Sequence, residues 1–192
     1  MLRELAHRLV TLAGAHGWIL VGGTPKIVDD VLSLIPHTME QRVHRLGGLD
    51  TQASLAQISE AAERGTAEAR REHDLALVTD LLARHAAGGH GIVGFAPTLE
   101  ALHEHAADAL CFTDGFLKAH PHAAELLVRT AFEQHVRPEY VWGRAAERLD
   151  AAAGGVGASL RFVPLRVQPS LALSALYEAR DAAVGRASNV GD

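Results

Sequence analysis

A run of nine residues, Gly154-Gly155-Val156-Gly157-Ala158-Ser159-Leu160-Arg161-Phe162, carries three of its glycines in four positions. Glycine-rich loops can cradle phosphate with their backbone N–H groups. That chemistry needs a helix after the loop, so that the positive end of its dipole faces the anion. Here a short apolar run ending before Pro164 follows, which reads as a strand. The order helix, glycine loop, strand therefore argues for a turn of positive φ that feeds an edge or inner strand. Ser159 has no G-x-S-x-G frame and no His or acid placed to activate it, so it reads as a strand serine.

Other residues invite the same test. Gly22-Gly23-Thr24-Pro25-Lys26 lies between a strand pattern and a helix start, where an anion can bind. It lacks the Walker spacing, and a proline-started helix accounts for it as well. His103-Glu104-His105 and His120-Pro121-His122 suggest metal, but residues two apart on a helix point to different faces. Neither run fits H-E-x-x-H, and Cys111, the only cysteine, has no cysteine partner. It sits in Ala109-Leu110-Cys111-Phe112, an apolar run, and reads as a small buried hydrophobe. The adjacent carboxylates Asp29 and Asp30 read as a solvated helix face.

The elements that position these residues follow from hydrophobic spacing. Leu2, Leu5, Ala6, Leu9, Val10, Leu12 and Ala13 predict a helix, stopped by Gly14 and Gly17. Trp18–Val21 predicts a buried strand, and Thr24 caps a helix that ends at Pro36. Arg42–Leu46 predicts a second strand, which makes a β-α-β unit with a parallel sheet. A long helix is expected from Thr51 to Ala87, charged in its middle, with Gly65 breaking or bending it. A second unit alternates again: strands at Gly91–Phe95, Ala109–Thr113, Glu139–Trp142 and Ser159–Val163, with helices at Thr98–Ala106, Pro121–His135 and Ala145–Ala152. After Pro164 one helical pattern remains (Leu171, Leu173, Leu176, Tyr177). The chain is thus read as α/β: a unit over 1–50, a linking helix over 51–87, a compact α/β sandwich over 88–166 and a tail over 167–192. Two strands in about 50 residues bury little, so the first unit is expected to pack on a partner or to belong to something longer.

The chain of 192 residues is 48% hydrophobic and 21% charged, a composition that folds. Its net charge of -5 excludes a chain-wide basic face for nucleic acid, though not a local patch. Twelve histidines make the surface field sensitive to pH near 6. One cysteine excludes an internal disulfide framework. Arg3, Glu4, His7 and Arg8 interrupt any signal-peptide pattern, and no stretch of 18 apolar residues exists. A cytoplasmic protein with no membrane association is expected.

Residues 154–162 resemble, almost position for position, the Gly-Gly-(Ile/Val)-Gly-Ala-x-Leu-Arg-(Tyr/Phe) segment that closes the last domain of the archaeal and eukaryotic release-factor superfamily, which includes Pelota and bacterial Balon-type hibernation factors. Gly91-Ile92-Val93-Gly94, Thr98-Leu99-Glu100-Ala101-Leu102 and Ala107–Asp114 resemble the strand, short helix and strand of that domain. Residues 1–50 resemble the family's middle domain, in part, through the strand that ends in Val21-Gly22-Gly23-Thr24-Pro25-Lys26. The resemblance spans about residues 1–166 and implies a partial RNase-H-like middle domain and a C-terminal α/β domain. It further implies binding at the ribosomal A site, with rRNA, stalk-base proteins and a translational GTPase such as elongation factor Tu as partners. The family's catalytic Gly-Gly-Gln loop is missing: the Gly-Gly pairs at 22–23, 47–48, 88–89 and 154–155 are each followed by another residue. The expectation is a binding factor without covalent chemistry, cofactor or metal. Its matched positions Gly154, Gly155, Gly157 and Arg161 are expected to act in structure before contact. Two alternatives stand beside it. One is a metal-dependent hydrolase or nuclease using Asp29, Asp30, Asp50 or Glu60. The other is a small-molecule domain using the Gly22–Lys26 turn.

Overall fold

A computed structural model describes residues 1–14, 17–49 and 52–164. Asp50, Thr51 and the tail pattern around Leu171–Tyr177 lie outside the described residues. The chain divides after Glu72 into two compact units, each described by itself.

The first unit opens with α1 (Leu2–Ala13), whose apolar side supplies Leu2, Leu9 and Val10 to the core. Strand β1 (Ile19–Gly22) follows, then α2 (Pro25–Leu32). Thr24 holds the N-cap position, but its hydroxyl makes no capping bond; Pro25 supplies the fixed φ that starts the helix. The helix ends at Leu32, short of Pro36, and after Pro36 the chain enters a 3-10 segment, His37–Arg42, that the periodicity does not announce. Strand β2 (Val43–Leu46) pairs with β1 in parallel, Ile19 opposite Val43 and Gly22 opposite Leu46. Ile19, Val21, Val28, Val31, Ile35 and Met39 form the buried core. Helix α3 (Leu55–Ala86) runs unbroken through Gly65, contrary to the expected bend. A side chain at 65 would run into Leu46, so glycine is required there by packing and not by a kink.

The second unit contains β3 (Gly91–Val93), α4 (Phe95–His103), β4 (Ala107–Phe112), α5 (Asp114–Ala119), α6 (Pro121–Glu133), β5 (Arg137–Tyr140), α7 (Gly143–Ala153) and β6 (Val156–Leu160). The strand order is β3-β6-β4-β5. The last strand is therefore an inner one, antiparallel to both neighbours, while β4 and β5 run parallel across the α5–α6 crossover. Phe95 starts a helix and does not end a strand, because Gly94 at φ 88 turns the chain first. Strand β5 begins two residues earlier than expected and includes Pro138, which a sheet edge tolerates. Strand β6 starts three residues earlier than expected, directly after Gly155.

The sheet separates two apolar layers. Leu110, Val156, Ala158 and Leu160 face α4, α5 and α6 through Leu99, Leu102, Phe116 and Leu127. Cys111, one residue on in β4, points the other way and packs with Val78 and Leu81 of α3 and Ala145 and Leu149 of α7. On that second side β6 carries Gly157. A Cβ there would sit 2.7 Å from the Ile92 carbonyl oxygen and 3.1 Å from the Leu81 side chain. The strand is thin where the long helix presses on it. Overpacking of this kind costs about 1–3 kcal/mol. Gly157→Ala should therefore lower stability by about 2 kcal/mol in urea unfolding; an unchanged midpoint would show that α3 does not press on β6.

Candidate functional site

The turn that precedes β6 is built by α7. Gly154 ends that helix in the left-handed conformation at φ 63, and Gly155 continues at φ 83. Their N–H groups donate to the carbonyls of Asp150 (3.0 Å) and Leu149 (3.2 Å), which closes the last helical turn. The space beside Gly155 is already filled. A Cβ there would lie 2.5 Å from Asp150 Oδ1, 2.5 Å from Thr113 Oγ1 and 2.9 Å from Phe116 Cβ. Thr113 joins three elements. Its N–H donates to the Gly155 carbonyl at 3.0 Å and its hydroxyl donates to Asp150 Oδ1 at 2.5 Å. The same hydroxyl accepts from the Phe116 N–H at 3.1 Å, which caps α5. The glycine turn thus encloses the chain's own carboxylate and hydroxyl where a phosphate cradle would leave room for an anion.

Register brings more residues to this end of the sheet. Phe112 closes β4 opposite Tyr140 of β5 and opposite Val156 of β6. The carboxyl ends of parallel strands, with the loops that follow, are where α/β sheets place their functional residues. Here they carry an aromatic ladder. The Phe112 and Tyr140 rings meet edge-on at 5.6 Å and 61°, and Tyr140 and Trp142 meet at 4.5 Å and 84°. Trp142, at the N-cap position of α7, is 55% exposed. Its N–H donates to Asp74 Oδ2 at 3.2 Å, and Asp74 is only 4% exposed. Asp114 accepts from Lys118 Nζ at 2.5 Å and from the Tyr140 hydroxyl. Lys118 is held above its usual pKa, first by that hydrogen bond and then by the Asp114 charge. The Tyr140 phenol is also raised, first by desolvation and then by the same carboxylate.

The four family-matched positions do not form one site. Gly154 and Gly155 lie at the Phe112 end of β6, Gly157 inside the strand and Arg161 just beyond its other end, past Leu160 beside Ala107. Arg161 is not in the strand as expected. Its N–H donates to the Ala106 carbonyl at 2.8 Å, and its side chain lies 3.5 Å from Asp108, at a register shift in β4. Both side chains are exposed. Sequence reasoning missed Thr113, Tyr140, Trp142 and Asp150. The available signals were a cap-competent Thr before Asp114 and a tryptophan standing just before Gly143.

The other candidates stand apart. Among the described residues no three His, Cys, Asp or Glu side chains gather as a metal site. Asp29 pairs with Arg45 at 2.6 Å and Glu60 pairs with Arg64. In the first unit a cavity of about 520 Å³ is lined by Leu32, Glu40, His44, Arg45 and Glu68 among others, and the Gly22–Lys26 turn takes no part in it. Cys111 is buried, and burial first, then the Glu139 charge, pushes its thiol from 9.0 up to about 12.

Two measurements probe these assignments. A side chain at 155 meets both a positive φ and occupied space, so Gly155→Ala should cost about 2–3 kcal/mol; a midpoint within 0.5 kcal/mol of the parent, a margin typical of ordinary surface changes, would refute the packing. For Cys111 the folded pKa lies above the unfolded one, so its contribution is complete below pH 9 and lost as pH rises toward 12. Between those values the parent should lose about 1.4 kcal/mol per pH unit more than Cys111→Ala does; equal slopes would mean that the thiol is not desolvated.

No protein-family model and no curated protein matches the chain. Solved structures do. Saccharomyces cerevisiae Dom34, a translation termination-like factor involved in RNA quality control pathways and interacting with Hbs1, superposes with a TM-score of 0.64 at 12% identity, over 86% of this chain and 52% of that one. Ribosome-bound archaeal Pelota, in a complex with ABCE1, gives 0.58 at 18% identity over 84% and 48% of the two chains. Archaeoglobus fulgidus Pelota gives 0.52 at 19% identity over 86% and 54%. The chain spans about half the length of the structures it matches. Across that span, from the parallel β1–β2 pair to the inner strand β6, its fold is like that of Pelota and Dom34.

Proposed function

We propose that this chain is a ribosome-associated, release-factor-like protein that acts in translation termination, rescue or hibernation by binding the ribosomal A site together with a translational GTPase. The observation that carries the reading is that the fold and the motif point to the same superfamily. The fold is like that of Dom34 and ribosome-bound Pelota, and of the Gly154–Phe162 segment that resembles the superfamily, residues 154–160 form the turn and inner strand of the second unit. In this reading residues 1–50 are part of a middle domain, 51–87 the linking helix and 88–166 the C-terminal domain. The GTPase is of the elongation factor Tu class and the compartment is the cytoplasm. The chain works by binding alone, since none of its four Gly-Gly pairs precedes glutamine. Gly154, Gly155 and Gly157 serve by shaping the domain. Arg161 stays available at the opposite rim, where its ion pair with Asp108 is solvated and therefore weak.

Sedimentation with ribosomes tests this directly. The purified chain should pellet with ribosomes saturably, and a factor known to occupy the A site should displace it. Failure to pellet at low salt, with ribosomes from both growing and stressed cells, would overturn the reading.

A further inference from the structure

Among the described residues, β2 pairs with β1 along one edge and with no strand along the other. An open edge leaves backbone N–H and C=O groups as a template for a further strand. Here helices flank that edge on both faces. The face of β2 that carries Val43 lies on the core shared with α2. The alternate face lies against α3, where Gly65 makes room for Leu46. The cavity of about 520 Å³ is the space between these layers. Leu32 and Ile35 reach it from α2, and Glu68, Ala69 and Glu72 reach it from α3, with β2 between them. A space bounded by elements from both faces of a strand runs along the edge of that strand.

The two walls of this groove differ in chemistry. The α2 wall is apolar. The α3 wall carries Glu68 and Glu72, exposed and one helical turn apart. The nearby cations are already engaged. Arg45 pairs with Asp29 at 2.6 Å, and Arg42 donates to the carbonyls of Gly14 and Gly17. Glu40, at the rim, pairs with His37. Among the described residues Glu68 has no basic partner, and Glu72 has only His44, 3.9 Å away. A second copy of this chain would bring the same carboxylates to the same edge, and like charges oppose that pairing. Nucleic acid is excluded by the same charge. Successive side chains of a strand point to opposite faces, so a strand in this groove turns one set to α2 and the other to α3. The occupant that fits is apolar on the first face and basic on the second.

We infer that the open edge of β2 accepts, by strand addition, an extended segment of a partner protein in which lysine or arginine alternates with apolar residues. The inference does not depend on the function proposed above. Calorimetric titration of the full chain with a blocked hexapeptide that alternates lysine and valine tests it. Binding should saturate. A peptide of the same composition, with its lysines in one block and its valines in another, should bind at least about tenfold more weakly, because it cannot serve both walls. Two further versions carry methyl groups on the odd or on the even backbone nitrogens. One should lose binding and the other keep it, since a strand turns every second N–H to its neighbour and a one-residue slip would swap its faces. Glu68→Gln combined with Glu72→Gln should weaken the alternating peptide at least about fivefold and leave the melting temperature near that of the parent, both side chains being exposed. Hydrogen exchange of the amides in Val43–Leu46 should slow when the peptide is bound. Absence of saturable binding would overturn the inference. So would equal affinity for the block peptide, or equal affinity for both methylated versions, either of which would reduce the groove to a general sink for cations. Unchanged binding by the double variant would overturn it as well, and so would protection at Ile19–Gly22 in place of Val43–Leu46. A dimer that protects Val43–Leu46 without peptide would overturn it by assigning the edge to a second copy.

Discussion

Thr113 and Asp150 make the contact on which the second unit depends. One hydroxyl donates to a carboxylate on α7 and accepts from the backbone that starts α5, while its own N–H holds the turn into β6. Three connections that are far apart in sequence are closed at one point. A hydrogen bond to a charged group contributes about 1.5–3 kcal/mol, more than a neutral one. The geometry leaves no volume at Gly155, so the position that looks like a ligand loop is fixed by internal packing. The aromatic ladder stands on the same foundation, because Phe112 is the residue before Thr113.

Much of the fold is legible in the residues. The short continuous apolar runs around Ile92 and Leu110 mark strands, and the 3.6-period runs between them mark helices, so the α/β class follows from pattern, although the last strand is expected three residues too late, at Ser159–Val163. The boundaries err where one residue serves two signals. Phe95 is apolar and follows a strand, yet Gly94 turns the chain before it. Trp142 is apolar and follows Tyr140, yet it caps a helix. The six-residue α5 is too short to show a period, and only its cap betrays it.

The site was less legible, and for a physical reason. Motifs that hold phosphate or metal are written in one stretch of chain, and the candidates here were of that kind. The residues that meet at the carboxyl end of the sheet come from β4, β5, α7 and α3, and only strand register brings them together. Likewise Gly65 and Gly157 are ordinary breakers by local rules. Their actual task, leaving room for Leu46 and Leu81, is visible only when a neighbouring element is in place.

The position of β6 bears on how this domain is made. A strand that is last in sequence among the described residues and second in the sheet order leaves β3 and β4 without a shared neighbour until it arrives. During synthesis, residues 91–153 emerge before the strand that fills the middle of the sheet. The apolar faces of Ile92 and Leu110 stay unsealed through that interval, when nascent chains are most prone to misassociate. Closure then becomes the insertion of one five-residue strand, Val156–Leu160, between β3 and β4. The glycines of the turn and strand let that insertion proceed without a bulky side chain having to pass Asp150 or Leu81.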